Sequence, residues 1–170
     1  MTHTASRALA FARPVIRFLT VLNGFYAFVL VALLVFSFTI RGWPQRPLGF
    51  EIVGEHPYAG DGLRTIVLIG VIGAAVMYTI LRRLKAIVDT VREGDPFTLE
   101  NSARLNQIAW RVAALELLPL VVAAIAWAVF EPWKVDAFSF ASWLAVLLLF
   151  VLAGVFAHGA RMRDDLAGTV

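Results

Sequence analysis

The chain has 170 residues, 60% of them apolar and only 16% charged, with a formal net charge of +3 and no cysteine. An ordinary soluble domain is roughly 25% charged, so a chain of this size and a mean hydropathy of +0.78 has lipid as the solvent for most of its surface. The missing cysteine excludes disulfides, thiolate metal sites and a cysteine nucleophile.

The first apolar run, about Phe18 to Ile40, has no fixed charge and is long enough for the roughly 30 Å hydrocarbon core. It is too long and too uniformly apolar for a cleaved signal peptide, and no small-x-small site follows it before Arg41, so it reads as a retained span. An outer loop, Arg41–Gly62, carries Pro44, Pro47 and Pro57 and the β-prone run Phe50-Glu51-Ile52-Val53. It reads as a lid over apolar helix ends, with a ligand-sensing flap as the other reading. The second span, Thr65–Leu81, is short, and Arg64 with the Arg82-Arg83 pair extends it by snorkelling. The third runs from Val112 to Phe130 and the fourth from Phe140 to Ala157, joined by the solvated turn Glu131–Ser139. Small residues at Gly70, Gly73 and Ala74, and at Ala153, Gly154 and Ala157, are places where helix backbones can approach closely.

Basic residues assign the sides. Arg7, Arg13, Arg17, Arg82, Arg83, Lys85, Arg92, Arg104, Arg111, Arg161 and Arg163 fall at the termini and between the second and third spans, against Arg41, Arg46, Arg64 and Lys134 elsewhere. The positive-inside rule therefore puts both termini and the central segment in the cytoplasm, which agrees with four spans. Trp43, Trp127, Trp133 and Trp143 then gather at the outer interface and Trp110 near the inner one. The net positive charge reports this topology, and no compact basic module capable of direct nucleic-acid binding exists. His3, His56 and His158 are too scattered for a zinc pair or a haem clamp, and neither a phosphate loop nor a Gly-x-Ser-x-Gly elbow occurs. The expectation is a protein that is not an enzyme and carries no cofactor.

Between spans two and three the apolar spacing continues as Leu84, Ile87, Val88 and Val91, and returns as Leu105, Ile108, Ala109 and Val112. Each set draws one stripe along a helix, so the second helix projects to Glu93, about 15 Å past the interface. Gly94 is placed to end that helix in the left-handed conformation, and Asp95-Pro96 forces an extended step. Thr98 caps the next helix with Glu100 in its first turn, and Phe97 is expected to tuck between the two arms. The fold class expected is all-α: a single polytopic domain of four transmembrane helices with a cytoplasmic helical hairpin, residues 82–111, extending spans two and three.

The run Arg92-Glu93-Gly94-Asp95-Pro96-Phe97, followed by Glu100-Asn101, Ala103-Arg104-Leu105 and Ile108-Ala109-Trp110, resembles the signature of a bacterial four-span membrane family catalogued as domain of unknown function 2975. The ending Gly159-Ala160-Arg161-Met162-Arg163-Asp164-Asp165-Leu166, closing on Gly168-Thr169-Val170, is similar to that family's C-terminal pattern. The resemblance implies an inner-membrane protein without established activity, from a family often encoded beside a small helix-turn-helix regulator.

Glu116 is the intramembrane residue that most needs explaining. It lies about 9 Å along the helix from Trp110, where an ionised carboxylate is costly without a partner. Arg111, Arg17, Tyr78 and His158 fall near the same inner depth, and Pro119 frees a backbone carbonyl nearby. A structural hydrogen bond and a protonatable switch both remain open for it. Three functional readings follow. In the first, the cytoplasmic face, with Arg92, Glu93, Asp95, Phe97, Glu100 and Arg104 and the C-terminal Arg161, Arg163, Asp164 and Asp165, holds a soluble cytoplasmic transcriptional regulator, a signalling or sequestering role. In the second, the chain is a small transporter that works as a homo-oligomer, because 170 residues form only a small pore. In the third, it is an accessory subunit of a larger membrane complex.

Overall fold

A computed structural model describes residues 3–40, 43, 58–130 and 138–167, and they form four helices: α1 (His3–Thr39), α2 (Ala59–Arg92), α3 (Leu99–Phe130) and α4 (Phe140–Ala167). Each contains a segment long and apolar enough to cross a membrane, so the protein is a membrane protein whose described elements are all helices. Of the outer loop read as Arg41–Gly62, Trp43, Tyr58 and residues 59–62 are described, and the last four already belong to α2; the rest of it and most of the connection between α3 and α4 lie outside the described residues.

The helices hold 37, 34, 32 and 28 residues, well beyond the roughly 20 that a hydrocarbon core requires. Much of the excess gathers at one end, where residues 3–17, 82–92, 99–111 and 158–167 continue past the apolar runs. Two of these extensions, on α1 and α4, were not expected as helix. Their sequences are rich in alanine and arginine, which are strong helix formers, and α1 runs unbroken through Pro14. Likewise α3 runs through Pro119.

The helices lie in chain order. Substantial contacts join α1 to α2, α2 to α3 and α3 to α4, and no comparable contact closes the row between α4 and α1. The hydrophobic core accordingly belongs to α2, α3 and α4, where Ile80, Ile87, Leu105, Ile108 and Ala153 cluster. Ile87, Leu105 and Ile108 come from the two stripes read in the sequence, and Ala109 of the second stripe is fully buried. Leu84, by contrast, stays exposed. None of the most apolar window of α1 is buried within the chain. With no hydrophobic drive between helices in lipid, close approach depends on missing side chains. A Cβ on Gly73 would lie 3.2 Å from Leu118, one on Gly62 3.0 Å from Val129, and one on Gly70 2.9 Å from Leu30. Asn23 of α1 donates to the Ala74 carbonyl of α2 at 3.0 Å. Gly154 on α4 meets nothing within 4 Å, whereas Ala153 beside it is buried in the core.

At the end opposite residues 93–98, which join α2 to α3, Arg64 closes α1 onto α2. Its Nη2 donates to the Ser37 carbonyl at 2.8 Å and its Nη1 to Asp61 at 2.8 Å, while the guanidinium sits 4.7 Å from the centre of the Phe38 ring. A cation on the last carbonyls of α1 complements the helix dipole.

Candidate functional site at the helix corner

Residues 93–98 turn the chain from α2 into α3, and the local chemistry dictates how. Gly94 has φ +93°, a conformation that costs side-chain-bearing residues steric strain. Its N–H donates to the Val91 carbonyl and that of Asp95 to the Thr90 carbonyl, both at 3.2 Å, the paired bonds of a Schellman helix end. Thr98 opens α3 by accepting the Asn101 N–H on its hydroxyl at 3.1 Å.

Asn101 is the fulcrum of the corner. It is fully buried, and every side of its amide is engaged. Nδ2 donates to the Thr90 hydroxyl at 2.7 Å and the Pro96 carbonyl at 3.1 Å, and Oδ1 accepts from Arg104 at 2.9 Å. The Thr90 hydroxyl in turn donates to the Ile87 carbonyl at 2.8 Å. These bonds tie the end of α2 to the start of α3 in a setting where an unmade bond would be expensive.

The outer helices are tied to the same place. Arg13 of α1 donates to Asp89 of α2 at 2.6 Å, Arg163 of α4 pairs with Asp95 of the corner, and Ser102 of α3 donates to the Ala153 carbonyl of α4 at 3.0 Å. Phe97 does not tuck between the two arms. It crosses to α4, with its ring centre 5.1 Å from that of Phe156 and Cδ1 3.0 Å from where a Gly159 Cβ would stand. The space between the arms is already occupied by Asn101 and the buried aliphatic residues, and Gly159 leaves a seat for the ring.

Of the residues singled out for a partner, Arg92 and Glu93 are exposed. Asp95, Glu100 and Arg104 are engaged within the chain, the last two with each other, although the Glu100 side chain remains 71% exposed. Leu99 is 54% and Phe97 44% exposed beside them. The intramembrane polar set does not converge. Arg111 donates to the Gln107 carbonyl at 3.0 Å, His158 is exposed on α4, and Arg17 and Tyr78 line a cleft between α1 and α2. Glu116 is half-buried on α3 and hydrogen-bonds to none of the described residues. The described residues contain no group of three or more His, Cys, Asp or Glu able to hold a metal ion.

The sequence reading missed Asn101, Thr90, Ser102 and Arg64 as organising residues. For Asn101 a signal existed: it stands three residues after Thr98, at the position whose N–H a capping hydroxyl accepts. The matching family is described as a protein of unknown function, DUF2975, over residues 6–170. No curated protein and no solved structure matches the chain.

Proposed function

The chain belongs to the DUF2975 family of unknown function, and on that premise we propose that it is a membrane-embedded docking module whose corner end faces the cytoplasm and holds a soluble protein. The observation that carries this reading is the exposure of Phe97 and Leu99, 44% and 54%, past the ends of the apolar runs. Exposed aliphatic and aromatic side chains are ordinary where lipid surrounds them. On this reading Phe97 and Leu99 stand beyond the spans and face water, and with the exposed Arg92, Glu93 and Glu100 nearby in the chain they make the apolar centre and polar rim of a protein-binding surface. The split of basic residues supports the cytoplasmic side, and a bacterial inner-membrane location with a helix-turn-helix regulator as the partner fits a signalling or sequestering role.

A photo-crosslinking residue at Leu99 in living cells tests this. The proposal expects one discrete adduct with a soluble cytoplasmic protein, and release of that protein from the membrane fraction by Leu99→Asp with Glu93→Lys. Asp95 is left intact in that variant because it pairs with Arg163. A membrane-bound partner unaffected by the double substitution, or no adduct at all, contradicts the proposal. The second reading, a small oligomeric transporter, draws on the half-buried Glu116 without a hydrogen-bond partner among the described residues, and proton-linked flux in liposomes is its test.

A further inference from the structure

The seam between α1 and α2 has a chemistry that changes along its length. Near the corner end it opens as a cleft of about 780 Å³ lined by Arg13, Arg17, Tyr78, Arg82, Lys85 and Asp89. On α2 the polar members fall at positions 78, 82, 85 and 89, spacings of four, three and four that put them on one face. Arg13 and Arg17 oppose them from α1. Asp89 is already neutralised by Arg13, and no carboxylate among the described residues pairs with Arg17, Arg82 or Lys85, which leaves the cleft with three uncompensated positive charges. Farther along the same seam lies a second cleft of about 660 Å³, lined by Leu22, Phe25, Val29 and Met77, and Leu81 borders both. A basic mouth thus leads into an apolar trough. Arg17 and Arg82 stand where the apolar runs of their helices begin and end, the level of lipid headgroups for a chain that crosses the bilayer.

We propose that this seam is a binding site for one anionic phospholipid, with its phosphate among Arg17, Arg82 and Lys85 and an acyl chain lying along Leu22, Val29 and Met77 toward the middle of the membrane. The charge complementarity is local and geometric. Guanidinium groups present forked donors to phosphate oxygens, and a basic pocket between spanning helices is a recognised way of retaining an acidic headgroup. The trough explains why the ligand is a lipid and not a free phosphate, since a soluble anion leaves the apolar half of the seam empty. The site involves neither Phe97 nor Leu99, so it stands independently of the docking role.

The full chain, purified in detergent and exchanged into nanodiscs, is examined by native mass spectrometry with phosphatidylglycerol, phosphatidylcholine and glycerol 3-phosphate as probes. Retention of one phosphatidylglycerol per chain, preferred over phosphatidylcholine by about tenfold or more, is expected, with no competition from glycerol 3-phosphate at matching concentration. The triple variant Arg17→Gln, Arg82→Gln, Lys85→Gln removes that preference. Met77→Trp, which fills the trough and keeps every charge, weakens retention of long-chain but not short-chain phosphatidylglycerol. Equal retention of the two lipids overturns the proposal, as does a triple variant that binds like the wild type. Competition by glycerol 3-phosphate together with an unaffected Met77→Trp variant identifies a soluble-anion site and also overturns it. If the triple variant does not fold, Met77→Trp and the lipid comparison on the wild type decide alone.

Discussion

The corner end and the middle of the helices are held by different means. At the corner, polar side chains join one helix or turn to another: Arg13 to Asp89, Thr90 to Asn101, Arg163 to Asp95 and Ser102 to the Ala153 carbonyl. Along the apolar stretches, helices meet through Gly62, Gly70, Gly73 and Ala74, with Asn23 as the one polar tie of α1 to α2 there among the described residues. On the proposed topology, with the corner end outside the bilayer, the difference follows from the solvent. Burying aliphatic side chains from lipid gains little, so backbones approach through small residues, whereas outside the bilayer a buried amide network and a small aliphatic core can specify one arrangement. On that topology the middle of this row sits in lipid, and the corner keeps its shape in water.

Breaking the corner should therefore have the largest effects. Asn101→Leu takes the donor from the Pro96 carbonyl and from the Thr90 oxygen, which keeps only its own bond to the Ile87 carbonyl, and takes the acceptor from Arg104; a loss of about 3 kcal/mol is expected in thermal or denaturant unfolding of the purified protein. Asn101→Asp should be milder only if Arg104 can hold the new charge. Next comes Gly94→Val, which should lower stability by about 1–2 kcal/mol through backbone strain alone, because a Cβ there meets nothing within 4 Å. Gly94→Asn should be close to wild type. Equal melting of the Val and Asn variants would contradict the left-handed geometry.

Arg64→Gln removes the bonds to Ser37 and the stacking on Phe38 at the other end of α1, an effect of about 1 kcal/mol. It should loosen α1 without disturbing the corner, so protease sensitivity should rise near α1 and not near Glu93. Arg163→Gln should be the smallest, below about 1 kcal/mol, because the Arg163 side chain is 58% exposed and water screens its pair with Asp95. For Glu116, Gln and Leu substitutions separate its two roles. A structural role tolerates Glu116→Gln better than Glu116→Leu, and a proton-coupled role already fails with Glu116→Gln.

Much of the scaffold was legible in the sequence because apolar periodicity and backbone chemistry are local. The four apolar helices, the stop at Gly94 and the cap at Thr98 were each read from a few neighbouring residues. What could not be read depends on distant partners. Arg163 meets Asp95 across 68 positions and Arg13 meets Asp89 across 76, and no local pattern marks either pair. Phe97 was misplaced for the same reason, since its seat is made by Phe156 and Gly159 on another helix. Arg64, read as an interfacial snorkel, binds the last turn of α1, where the Ser37 carbonyl accepts from its guanidinium and the Phe38 ring lies against it. The helical extensions of α1 and α4 were overlooked because their charges broke the apolar runs, although their helix propensity is high.

The proposed orientation puts the corner end in the cytoplasm, on the opposite side of the membrane from Asp61. The chain has no cysteine, so single substitutions report without background. In intact cells, a membrane-impermeant maleimide applied from outside should label Asp61→Cys and leave Glu93→Cys untouched until the membrane is opened. Labelling of Glu93→Cys from outside, or of both positions from the same side, would contradict the account.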